Sequence, residues 1–180
     1  GNAVTLARRF QEIPLVGRVT HESTHVSRPE EDTEELKMIR KLLDDSSKRA
    51  AQVVEYLQKD VIPNRARKAH MEAPMDGWIY FQQGDRKISS HRICLSPKLP
   101  YAPGIFKEII RLAPPEASFA LNLHSHGASY GPTPERFDEV ELFVDRASLP
   151  AFLGLVERIY KERKQYFEGQ PAPSQGVYAP

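Results

Sequence analysis

The spacing of apolar residues along this chain changes once, near residue 77, and that change limits the folds open to it. Before it, "DTEELKMIRKLLDD" places Leu36, Ile39, Leu42 and Leu43 at helical intervals. "KRAAQVVEYLQKDVI" does the same with Ala50, Val53, Val54, Leu57 and Val61. This is the repeat of helices that bury one side. Asp32 or Thr33 can cap the first and Asp45 or Ser46 the second, and Pro63 closes the pair, so two helices are expected over 33–62. After residue 77 a period of two takes over. "GWIYFQQGDRKISSHRICLSP" reads as a hairpin, with strands near 78–82 and 90–96 and a turn at Gly84-Asp85. "APGIFKEIIRLA" is a helix with Pro103 early in it and Pro114 just beyond. "SFALNLHSH" sets Phe119, Leu121 and Leu123 against Asn122, His124 and His126. A loop over "GASYGPTPER", a strand over "DEVELFVD" and a closing helix over "SLPAFLGLVERIYKERKQYF", capped by Ser148, complete the pattern. The expected class is α+β: N-terminal helices, then a ββαββα unit with an antiparallel sheet.

The 180 residues suffice for one full-sized domain. It is expected over 32–180, with helices at 33–62 and the sheet-and-helix part at 77–168. Residues 1–31 read as a flexible segment, with one short helical piece over 5–12 ended by Pro14 and a polar linker over 17–32. With 25 Lys+Arg against 24 Asp+Glu the formal net charge is +1, so no global pull toward nucleic acid or an anionic membrane is expected. No apolar run approaches the ~18 residues of a membrane span, and the N-terminus lacks the apolar stretch of a signal peptide. The single Cys94 excludes an internal disulfide and fits a reducing compartment. Gly1 in place of Met is expected of a cleaved tag or a trimmed chain, and the ending "GQPAPSQGVYAP", without a finishing element, of a parent longer at both ends.

"VTHESTHVS", residues 19–27, contains His21-Glu22-Ser23-Thr24-His25, which fits H-E-x-x-H letter for letter. That pattern holds zinc when a stable helix puts both imidazoles on one side and the glutamate activates water. Here Ser23 and Thr24 compete with the backbone for hydrogen bonds, only Val19 and Val26 offer an apolar anchor, and Pro29 bars extension. The stretch is read as a solvated linker, with a zinc hydrolase as the distant alternative. No metal or cofactor is expected.

His124 and His126, two apart on a strand, can act with His91 from the hairpin as metal ligands, as catalytic groups, or as the plain polar side of a half-exposed sheet. Cys94 reads as a small packing residue. Arg65, Arg67, Lys68 and His70, and likewise Arg86 with Lys87, can grip phosphate or simply be solvated.

Three stretches carry a family resemblance: "HRICLSPKLPYAPGIFKEIIRL", "ERFDEVELFVDRASLPAFLGLVERI" and "GVYAP". In order and spacing, from Gly84 to about Ala179, the chain resembles the phosphothreonine-lyase-like type III effectors of bacterial pathogens. It is most like their HopA-type branch, whose relatives also occur in peptide-modifying (RiPP) biosynthetic clusters. The resemblance implies β-elimination of phosphate from phosphothreonine or phosphoserine. In that reaction a lysine takes the α-proton, a histidine protonates the leaving phosphate and arginines hold it. Aligned on the strand-helix unit, Cys94 falls where the acid histidine would be, and "SFALNLHSH" carries no lysine.

His91, His124 and His126 are then the candidate catalytic residues, in altered roles, and Arg86, Arg92 and Arg136 the candidate phosphate-binding residues. The expected function is that of a HopA-type, effector-like virulence protein that binds a protein or phosphopeptide rather than eliminating phosphate. An active phosphothreonine or phosphoserine lyase is the alternative. The resemblance also implies a secretion chaperone at the N-terminal segment. It implies a location in the cytoplasm, or in a host cell after type III secretion.

Overall fold

The computed structural model describes residues 33–65, 67–73, 78–85, 91–124 and 139–177. The short helix expected over 5–12 and the H-E-x-x-H letters at 21–25 lie outside them. So do the loop of 127–136 and the candidate residues His126, Arg86 and Arg136.

The first helix, α1 (Glu34–Tyr56), starts at Thr33, whose hydroxyl accepts from the Leu36 N–H at 3.2 Å, with Glu34 and Glu35 in the first turn. An acceptor and carboxylates at this end satisfy open N–H groups and the positive end of the helix dipole. The two helices expected here are one. Asp45 and Ser46 do not restart it, because Leu36, Ile39, Leu43, Ser46, Ala50, Val53 and Leu57 form one unbroken seam. Ser46 lies within that seam, buried alongside Ala50 and Val53. Past Tyr56 the helix widens to a π turn (Leu57–Val61) and then tightens to a 3-10 turn (Ile62–Asn64). Pro63, which lacks an N–H, cannot continue the α ladder.

Six strands follow: β1 (Ala69–Glu72), β2 (Trp78–Gln83), β3 (His91–Leu95), β4 (Phe119–His124), β5 (Val140–Val144) and β6 (Ser174–Val177). They form one sheet in the order β1-β2-β4-β5-β3-β6, with every neighbouring pair antiparallel. Two further helices, α2 (Ala102–Leu112) and α3 (Leu149–Glu162), connect β3 to β4 and β5 to β6. The α+β class with an antiparallel sheet is therefore present, with β1 and β6 as additional strands.

The hairpin expected over 78–96 is not formed. β2 and β3 are separated by β4 and β5, and the physical reason lies at the expected turn. Gly84 takes φ +78 and donates its N–H to the Lys68 carbonyl at 2.9 Å, while the Asp85 N–H bonds Ser118 Oγ at 3.1 Å. Those partners precede β1 and β4, the two strands flanking β2. The turn residues are thus fastened to β2's neighbours rather than folding the chain back on itself. A side chain at Gly84 would collide with Ser118 Oγ and stand 2.8 Å from Arg67 Nε, so both the backbone angle and the space call for glycine.

Register assigns the two sides of the sheet. Ile79, Phe81, Phe119, Leu121, Leu123, Val140, Leu142, Val144, Ile93 and Leu95 share one side. With Phe106, Ile109, Phe152, Val156 and the seam of α1 they form the apolar core. Each fully buried Leu, Ile or Phe contributes roughly 1.5–3 kcal/mol. Ser148 precedes α3, but its side chain caps nothing; instead its N–H donates to Asp145 Oδ1 at 2.7 Å. The closing helix ends at Glu162 rather than near 167. A 3-10 turn (Lys164–Tyr166) brings Tyr166 onto Tyr101, ring centroids 4.2 Å apart, with the Lys98 N–H on the Tyr166 carbonyl. Among the described residues no helix is long and apolar enough to cross a membrane.

Candidate functional site

The other side of the sheet carries the chemistry. One transverse row of register partners runs Glu72, Tyr80, Asn122, Glu141, Cys94 and Ser174 from β1 to β6. The next row runs His70, Gln82, Ala120, Phe143, Arg92 and Gly176, and at the far end Trp78 faces His124. Cys94 and Phe143 are buried but stand outside the apolar core, which confirms that this side is separate from it.

Two pairs of ionisable side chains are buried here. Arg92 Nη1 lies 3.2 Å from Glu141 Oε2, and Arg92 Nε meets no hydrogen-bond acceptor among the described residues. At the end of β4, His124 Nδ1 lies 3.9 Å from Glu139 Oε2, and the His124 N–H donates to the Glu139 carbonyl at 2.9 Å. The Trp78 ring meets the His124 ring edge-on at 4.9 Å and stacks with Tyr80 at 6.5 Å. Toward β1 this side opens: Trp78, Tyr80, Gln82 and Asn122 are half-buried and Glu72 is exposed.

The structure separates the candidate residues it describes. His91 pairs with Val144 and Val177 and so shares the core side, whereas Arg92, the next residue, points to the other. Adjacent residues on a strand always do so. His124 and Arg92 share the polar side but not a position on it. Arg92 is level with Phe143 and His124 with Glu139, four residues away along β5, roughly 13 Å at the rise of a strand. Cys94 is buried opposite Ile93 and Leu95, the packing position expected of it.

Arg65 donates to the Ile110 carbonyl at 2.5 Å and Arg67 to the Glu116 carbonyl, so these two bind the end of α2 and the turn beyond it. Among the described residues no group of three His, Cys, Asp or Glu side chains is placed to hold a metal ion. The described strands carry no lysine.

Sequence reasoning missed Glu139, Glu141, Trp78 and Tyr80. In "DEVELFVD" both carboxylates alternate with Val140, Leu142 and Val144. A carboxylate inside so apolar a strand was the available signal, since a buried one requires a partner.

Comparison of the chain with family models, with curated proteins and with solved structures finds no match.

Proposed function

We propose that this is a HopA-type, phosphothreonine-lyase-like protein that acts by binding a protein or phosphopeptide on the polar side of its sheet. It does not act by eliminating phosphate. The observation that carries this reading is the make-up of that side. In the lyases that the chain resembles, β-elimination uses a lysine to take the α-proton and arginines to hold the phosphate. The described strands hold no lysine, and the guanidinium of Arg92 is already bound to buried Glu141. Half-buried aromatics and side-chain amides, by contrast, suit an interface, where Tyr and Trp supply contact area at low entropic cost.

In this reading the N-terminal segment receives a secretion chaperone, and the protein works in the cytoplasm or in a host cell. A second reading, an enzyme with altered acid-base groups, is favoured by one feature: a buried carboxylate, Glu139, beside His124.

The test is to incubate the protein with phosphothreonine and phosphoserine peptides and weigh the products. The binding reading expects unchanged masses. Loss of phosphoric acid, leaving dehydrobutyrine or dehydroalanine, would establish the enzyme instead.

A further inference from the structure

The helical side of the molecule matches its carboxylates and leaves cations over. On α2 and α3, Glu108 meets Arg111 at 2.6 Å, Glu157 meets Lys161 at 3.1 Å and Glu162 meets Arg158 at 3.1 Å. Arg49, Lys107 and Arg163 have no ion-pair contact among the described residues, and each lies over a tyrosine instead. Lys107 Nζ stands 4.3 Å from the centre of the Tyr56 ring, the Arg49 guanidinium 5.8 Å from that of Tyr101 and the Arg163 guanidinium 5.7 Å from that of Tyr166. Tyr101 and Tyr166 are themselves stacked, their planes 9° apart. Arg49, Tyr101, Tyr166 and Arg163 therefore form one row from α1, past the start of α2, to the end of α3. Its two guanidiniums are at most roughly 16 Å apart, about five residues of extended chain.

The charge around this row is mixed but not balanced. On α1 and the π turn after it, Lys48 and Lys59 hold Asp44 and Glu55, which leaves Asp45 and Asp60 without a contact of their own. Glu168 lies 3.9 Å from Lys98. Against Asp45 and Asp60 stand Arg49, Lys107, Arg163 and the exposed Lys164. A cation already held on a ring loses little freedom on meeting an anion, and a guanidinium there has several donors to offer. Among the described residues the exposed large apolar side chains, Met38, Leu42 and Val177, all lie off α2 and α3, so these helices offer nothing to enter a bilayer. A continuous run of phosphates would set like charges against Glu108, Glu157 and Glu162. Carboxylates spaced along a peptide avoid them.

We propose that this helical side docks an acidic segment of a partner protein, with its carboxylates received by Arg49, Arg163 and Lys107. The surface lies across the apolar core from the polar side of the sheet, and the inference is independent of the function assigned to that side.

The probe is a labelled short peptide alternating glutamate with serine, followed by fluorescence anisotropy at low salt. Beside it are tested its glutamine counterpart, a single-stranded oligonucleotide, and vesicles of phosphatidylserine in phosphatidylcholine. The glutamate peptide is expected to bind saturably and the glutamine peptide about ten-fold more weakly, the difference shrinking as salt rises. Arg49→Gln with Arg163→Gln is expected to weaken the glutamate peptide about ten-fold, and the exposed change Lys107→Gln alone about three-fold. Lys37→Gln with Lys41→Gln removes the same charge from the exposed first turns of α1 and is expected to leave binding unchanged.

Equal binding of the two peptides, binding of neither, or no loss from the arginine and Lys107 variants would overturn the proposal. An equal loss from the Lys37 and Lys41 pair would do the same, for it would reduce the effect to net charge. Tighter binding of the oligonucleotide or the vesicles would overturn the choice of a peptide and assign the cations to another polyanion.

Discussion

Arg92 on β3 and Glu141 on β5 meet at 3.2 Å with both side chains buried. Taking two charges from water costs several kcal/mol each, and their mutual contact offsets part of this. Arg92→Met or Glu141→Leu alone is therefore expected to lower stability by about 3–5 kcal/mol, because each leaves one buried charge without its partner. The double variant should recover most of that loss, since two apolar side chains fill the same space. Urea unfolding of the four proteins measures it. A double variant as weak as the sum of the singles would show that the pair is not the unit of stability.

Gly84 is fixed by its φ of +78 and by the nearness of Ser118. Gly84→Ala should cost about 1–3 kcal/mol, and thermal unfolding reads the change. An unchanged midpoint would mean that the link between β2 and its neighbours is not as described.

His91 and His124 lie on opposite sides of the sheet, and only His124 has a ring contact with Trp78 described. His124→Leu is thus expected to shift the emission of the lone tryptophan, and His91→Leu to leave it unchanged. Equal shifts from both would contradict the assigned register.

The Arg111 hydrogen bond holds the Glu108 carboxyl below the usual carboxylate range. A depressed folded-state pKa gives stability that is present above the ordinary glutamate value, about 4.3, and is lost as pH falls through the folded value. Glu108→Gln should therefore cost about 0.5 kcal/mol at neutral pH and progressively less in acid. Denaturation at several pH values checks the convergence.

Much of this architecture was readable from local pattern. The Thr33 cap, the strand alternation after residue 77 and the proline-marked helices each arise from contacts between near neighbours. Strand pairing does not. Whether β2 folds onto β3 depends on what Gly84 and Asp85 bond, and their partners, Lys68 and Ser118, are remote from one another in sequence. β1 and β6 were missed because "AHME" and "SQGV" are short edge strands with little apolar alternation. At Ser46, cap-forming chemistry lost to the apolar seam on either side of it. The candidate site divides in the same way. The polar side of β4 was evident from His124, but Glu139, Glu141 and Trp78 join it only through register across three strands.

The most direct test of the central claim is a phosphate assay with the protein in excess over a phosphothreonine peptide, so that even one slow turnover is seen. Inorganic phosphate is expected to stay at the level of the peptide alone. Release of stoichiometric phosphate with formation of dehydrobutyrine would contradict the account, for it would place elimination chemistry in a protein whose described strands lack the lysine that the resembled lyases use to begin it.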